Sequence, residues 1–237
     1  MHPFSKYFDH TLLKPDATSQ DISNLVKEAA AYDFHSVCVS GCHLPLVSRL
    51  LEESSVKTAC VVGFPLGASS SEVKCFETEN ALKDGADEID MVVNIGMIKD
   101  SRFDAAGEEI KRIAEICHTK GVILKTIIET CLLNKEEIEM ICRSAEAAGT
   151  DFIKTSTGFS TGGAKPEDIR LIRASVSPSV KIKASGGIRT LDDAITMINA
   201  GADRLGCSAS VSIMEEYLLK NKERLPSSRN AASKDLL

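Results

Sequence analysis

The chain has 237 residues, a net charge of −6, and 26% charged against 43% hydrophobic residues, the balance of one globular unit with a sizeable core. That sign of charge argues against sequence-independent binding to nucleic acid, which needs basic surface. No run approaches 18 apolar residues and Met1–Phe8 holds no apolar leader-type stretch, so neither a membrane span nor a secretory leader is expected.

Eight cysteines without such a leader point to reduced thiols and a cytoplasmic location. The spacing Cys38-x-x-x-Cys42-His43 has no second half at zinc-ligand distance, so these residues are read as free thiols and no metal ion is expected.

Taken in order, apolar runs predict strands at Phe8–Leu12, His35–Ser40, Lys57–Gly63, Glu88–Val93, Val122–Glu129, Asp151–Ser156, Val180–Ser185 and Asp203–Cys207. Helical periodicity between them predicts helices at Thr18–Tyr32, with Asp16 or Thr18 as N-cap, then Ser70–Lys83, Phe103–His118, Lys135–Ala148, Pro166–Ala174 and Leu191–Ala200. A unit recurs: Gly85-Ala86-Asp87, Gly149-Thr150-Asp151 and Gly201-Ala202-Asp203 each end a helix, at the residue favoured past a C-terminus, and open a strand. Eight strands alternating with helices imply a parallel (β/α)₈ barrel in a single domain over residues 1–225. Residues 226–237, rich in Ser and other polar residues, are expected to form a flexible tail. An open doubly wound sheet is the competing fold, but Cys38-Val39-Ser40-Gly41-Cys42 is not a dinucleotide-binding turn.

Strand parity then sorts faces. Ile89 and Met91, Leu124 and Thr126, Ile153, and Ile182 and Ala184 belong to the face that meets the helices. The other face carries Glu88, Asp90, Lys125, Phe152, Lys154, Lys181 and Lys183, and with them Asp9 and Cys38. Unpaired ammonium groups inside a sheet are costly, and these lie toward the strand ends, where barrels place their chemistry. Lys181 lies two residues deeper than Lys183, which favours Lys183 as the functional one. Lys154 and Lys183 are one strand–helix unit apart, so they should be neighbours. Two ammonium groups ~6 Å apart at an effective dielectric near 20 repel by about 3 kcal/mol, enough to let one shed its proton near neutral pH and act as an amine nucleophile. Asp90 is the expected proton carrier.

Gly- and Ser-rich turns follow the last three strands: Ser156-Thr157-Gly158, Ser185-Gly186-Gly187-Ile188-Arg189 and Gly206-Cys207-Ser208-Ala209. Backbone N–H groups in such turns suit a phosphate.

The segments Phe152-Ile153-Lys154-Thr155-Ser156-Thr157-Gly158 and Lys183-Ala184-Ser185-Gly186-Gly187-Ile188-Arg189-Thr190, with Phe8-Asp9-His10-Thr11-Leu12-Leu13-Lys14-Pro15 and Gly85 to Val92, resemble the deoxyribose-phosphate aldolase family. The resemblance runs from about Phe8 to Ser210. It implies reversible, metal- and cofactor-independent cleavage of 2-deoxy-D-ribose 5-phosphate to acetaldehyde and D-glyceraldehyde 3-phosphate, with Lys154 as Schiff-base lysine, Lys183 as its partner lysine and Asp90 as general acid/base. Asp9, Thr11, Cys38 and Lys125 correspond to pocket positions, and Gly158, Gly186, Gly187, Gly206 and Ser208 to the phosphate turns. The sequence leaves the oligomeric state open, with a homodimer as the candidate assembly. The chain departs from some members at Phe159, where they have lysine, at Ala209, where they have a second serine, and at Leu236-Leu237, where they end in an aromatic residue.

Overall fold

The computed structural model describes residues 3–224; the expected tail at 226–237 lies outside the described residues. Eight strands, β1 (Phe8–Leu12), β2 (Ser36–Val39), β3 (Lys57–Val62), β4 (Glu88–Val92), β5 (Ile123–Ile127), β6 (Phe152–Lys154), β7 (Lys181–Ser185) and β8 (Arg204–Cys207), pair in parallel in chain order and close through β1–β8. The helices are α1 (Ser19–Ala31), α2 (Leu44–Leu50), α3 (Ser71–Lys83), α4 (Ile95–Lys99), α5 (Phe103–His118), α6 (Lys135–Ala147), α7 (Pro166–Ser175), α8 (Leu191–Ala200) and α9 (Ser210–Arg224). This is the expected (β/α)₈ barrel. The helices α2, α4 and α9 were not among those expected. Among the described residues no helix is long and apolar enough to cross a membrane.

The recurrent Gly-x-Asp unit sets the register. After α6, Gly149 takes φ +90°, a conformation that disfavours any side chain, and Thr150 N–H donates back to Ala145 O. Asp151 then fastens the neighbouring strand at both atoms: its N–H donates to Leu124 O and its carboxylate accepts from Leu124 N–H at 2.8 Å. Asp87 does the same to Thr58, and Asp203 to Ile182. Each aspartate thereby locks the N-terminal end of one strand to the start of the next. Thr18, Asn134 and Thr190 open their helices with capping boxes, each contributing about 1 kcal/mol.

The main core lies between sheet and helices. Ile89, Met91, Leu124, Ile153, Ile182 and Ala184 face Ile110, Ile141 and Ile172, all fully buried, and each large aliphatic side chain contributes roughly 1.5–3 kcal/mol. The barrel interior is divided. On the β2–β3 side Cys38, Ala59 and Val61 form a small apolar wedge with Leu13 and Phe64; the rest carries the charged groups, with Val92, Ile127 and Phe152 buried among them.

β1 has its expected bounds, five strands are shorter than expected by one or two residues, and β5 and β6 are shorter by three. β6 ends at Lys154 because Thr155 leaves the sheet edge to bridge neighbours, its N–H donating to Lys183 O and its carbonyl accepting from Thr130 N–H. β5 ends at Ile127, and Glu129 turns into the left-handed region at φ 51°.

Candidate active site

The interior charges converge on Asp90. Its Oδ1 accepts from Lys125 Nζ at 2.7 Å, and its Oδ2 accepts from both Lys154 Nζ at 2.8 Å and Lys183 Nζ at 2.7 Å. Below it lies a second tier. Asp9 accepts from Arg204 Nη1 at 2.9 Å, and Glu88 Oε1 accepts from His35 Nε2 at 3.0 Å. The Lys183–Asp9 and Lys125–Glu88 contacts, both 2.5 Å, are charge contacts rather than aligned hydrogen bonds. The register explains this grouping, since Asp90 pairs with Lys125, Lys154 with Lys183, and Lys183 with Arg204.

Electrostatics follow from burial and pairing. Burial alone would raise the Asp90 carboxyl, but Lys125, Lys154 and Lys183 together hold it well below the usual carboxylate range. Burial works against the Lys183 ammonium too, yet Asp9 and Asp90 hold it well above the ordinary lysine value. Glu88 behaves like Asp90, drawn down to about 2 by Lys125 despite its burial. Burial and the Asp90 charge raise the Cys38 thiol, whose Sγ stands 3.9 Å from Asp90 Oδ2, so Cys38 stays protonated and is a poor nucleophile. The expected bare repulsion between Lys154 and Lys183 is therefore modified: a shared carboxylate sits between them.

Lys154 is the member of this cluster that opens onto a cavity of about 250 Å³ at the C-terminal ends of the strands. Thr11, Gly158, Gly186, Gly187, Gly206 and Ser208 line the same cavity. The N–H groups of Gly158, Gly187 and Ile188 meet no acceptor among the described residues, which leaves them for an anion. Lys14 and Arg189 add two cations to the lining that were not singled out from sequence. They offset Phe159, which stands at the edge of the site against Phe64, ring centroids 5.3 Å apart.

Three expectations are corrected in detail. Asp9, Cys38 and Lys125 are fully buried and lie beneath the cavity floor rather than on its wall, because parity gives direction and not depth. Gly206 has a role besides the cavity lining: a Cβ there would come within 2.9 Å of Lys183 Cε, so the glycine makes room for the lysine to cross the barrel. Lys181 is exposed at the opposite end, its Nζ 5.7 Å from the Phe152 ring centroid, consistent with the preference for Lys183.

Sequence reasoning missed Arg204 and Glu129 as members of the site's framework, and placed Glu88 on the inward face without giving it a role. Arg204 was recoverable, since it stands two residues before Gly206 on β8. Glu129 had no such signal. Its carboxylate accepts from Thr157 N–H at 3.3 Å and from Thr157 Oγ1, and Phe159 N–H in turn donates to Thr157 Oγ1 at 3.1 Å. This relay fixes the Thr157–Phe159 turn that carries Gly158.

Comparison with known proteins bears on the same residues. The family model described as DeoC/LacD family aldolase matches residues 4–213. A deoxyribose-phosphate aldolase of Clostridium novyi is 51% identical over 211 residues, which is 89% of this chain and 95% of the relative. A solved aldolase, QR15, superposes with a TM-score of 0.89 at 42% identity, covering 94% of this chain and 99% of its own. The deoxyribose phosphate aldolase of Aeropyrum pernix, described as a tetramer, gives a TM-score of 0.84 at 35% identity over 90% of this chain and 89% of its own.

Proposed function

The chain belongs to the DeoC/LacD family of aldolases, and from that premise we propose that it reversibly cleaves 2-deoxy-D-ribose 5-phosphate to acetaldehyde and D-glyceraldehyde 3-phosphate through a Schiff base on Lys154. The observation that carries this reading is that Lys154, bound to Asp90 at 2.8 Å, opens into the cavity that the glycine turns line.

Lys154 as an amine attacks C1 of the open-chain sugar to give a carbinolamine, which loses water to a protonated imine. That cation accepts the electron pair of the C2–C3 bond as the C3 hydroxyl gives up its proton and D-glyceraldehyde 3-phosphate departs. Asp90 lies below Lys154 and is fully buried, so the proton reaches it through water or along the imine nitrogen's own hydrogen bond. Lys183, fixed between Asp9 and Asp90, supplies charge that Asp90 balances as protons move. Protonation of the enamine carbon and addition of water then release acetaldehyde and return Lys154. The phosphate rests on the free N–H groups of Gly158, Gly187 and Ile188 with Arg189 and Lys14 close by. No step requires a metal or cofactor.

Purified protein should release acetaldehyde and D-glyceraldehyde 3-phosphate in equal amounts, and should handle unphosphorylated 2-deoxyribose at least about tenfold less well, since charge-assisted phosphate contacts are each worth about 1.5–3 kcal/mol. Equal use of both sugars would remove the phosphate site from this reading.

A cytoplasmic homodimer fits the same reading. The half-exposed to exposed Leu66, Val73 and Phe76 line one apolar cavity beside α3, a surface suited to a second copy. Sedimentation at the 25.5 kDa of one chain would contradict the dimer, and recovery outside the cytoplasm on fractionation would contradict the location.

A further inference from the structure

The row that carries Lys154 continues past Lys183 to Arg204, which places Arg204 two strand spacings, about 10 Å, from Lys154. Its guanidinium serves the other end of the barrel. There Arg204 lines a separate cavity with Lys57, Lys181 and His35 and lies over the Phe152 ring, 5.6 Å from its centroid. Arg204 is absent from the lining of the cavity in which Lys154 opens, yet it belongs to the same charge cluster. Its Nη1 donates to Asp9 Oδ1 at 2.9 Å and stands 3.7 Å from Glu88 Oε1.

Among the described residues, the carboxylates that Lys125, Lys154, Lys183 and Arg204 face are Asp9, Glu88 and Asp90, so the cluster there holds one cation more than it has carboxylates. Three of the four cations are committed. Lys183 bridges Asp9 and Asp90, Lys125 bridges Glu88 and Asp90, and a guanidinium does not give up its proton in a protein. Lys154 contacts one carboxylate oxygen, which Lys183 shares.

We infer that Arg204 is a positioning residue for the reaction: it is the fixed fourth cation on three carboxylates, and it leaves Lys154 as the surplus charge, free to rest as an amine. Without Arg204, three lysines meet three carboxylates and Lys154 keeps its proton. Without the Glu88 charge, the surplus grows and Lys154 sheds its proton more readily. This rests on Lys154 being the Schiff-base lysine.

The other groups around Lys154 do not reverse the count. Cys38 is held as a neutral thiol. At the rim, Lys14 and Arg189 outnumber Glu129, whose carboxylate is engaged by Thr157. His35 lies against Glu88 and is common to all the proteins compared.

The test is the pH dependence of kcat/KM, which reports ionisations of the free enzyme, together with the pH dependence of borohydride trapping of acetaldehyde. A unit charge ~10 Å away at an effective dielectric near 20 moves a titration midpoint by about one pH unit. Arg204→Met should therefore move the rising limb up by about one unit, a roughly tenfold loss near neutral pH that is recovered at higher pH. Arg204→Lys should hold the wild-type midpoint, and Glu88→Gln should move it down. Coincident midpoints in all four proteins, or shifts of the same sign in Arg204→Met and Glu88→Gln, would overturn the inference. If Arg204→Met does not fold, Arg204→Gln, which keeps a donor for Asp9 without the charge, is read in its place and should show the same upward shift; a wild-type midpoint in Arg204→Gln would overturn the inference. Wild-type protein that traps no acetaldehyde at any pH would overturn the Schiff-base reading itself, and the inference with it.

Discussion

Lys154→Leu loses turnover by on the order of 10⁴-fold or more and keeps its fold. The loss is this large because no other lysine of the cluster opens into the cavity: Lys125 and Lys183 are fully buried and each bridges two carboxylates. The fold survives because the change removes the surplus buried cation rather than a needed one. Asp90 keeps Lys125 at 2.7 Å and Lys183 at 2.7 Å, and a shorter apolar side chain at the cavity mouth replaces an amine group that is costly to bury. A denaturant midpoint equal to or above that of wild type, beside a steady-state rate at background, is the expected pair of results. Substantial residual turnover would move the nucleophile elsewhere.

Asp90→Asn has the largest combined effect on stability and activity. The carboxylate accepts from three ammonium groups, and an amide offers one of them a donor instead of an acceptor. Lys125 retains Glu88 and Lys183 retains Asp9, but Lys154 loses its one carboxylate contact and three fixed cations are left on two carboxylates. Breaking a buried pair in this way costs about 3–5 kcal/mol, read from the shift in denaturant midpoint. The rate should fall by roughly 10²–10⁴, the usual contribution of a positioned proton carrier.

The pH dependence carries a sign. Because Asp90 is held well below the ordinary carboxylate value of 3.8, its contribution is complete above that value and is lost as pH falls through the lower folded one. Wild type therefore weakens on acidification below the carboxylate range, and Asp90→Asn lacks that part of the acid sensitivity. Identical stability–pH slopes for the two proteins would contradict the shared-carboxylate geometry.

Much of this was legible from two periodicities. Alternation along β4, β5, β6 and β7 put Asp90, Lys125, Lys154 and Lys183 on one face, and the repeated Gly-x-Asp unit gave the strand count that makes that face an interior. What parity could not supply was depth and partnership. Asp9, Cys38 and Lys125 point inward as expected but lie under the floor, since barrel stagger sets how far along the axis each strand delivers its residue. Nor could spacing show that one aspartate is shared by three lysines, or that Arg204 reaches Asp9 from a strand 195 residues later. The Glu129–Thr157 bond was out of reach for a different reason. It depends on a left-handed turn at a glutamate, which no local preference predicts.

The central claim is that Lys154 forms the imine. Borohydride reduction of the protein in the presence of acetaldehyde, followed by peptide mapping, should place a two-carbon unit on Lys154 and leave Lys125 and Lys183 unlabelled. Label on Lys183, or protein that remains unlabelled while turning over substrate, would contradict it.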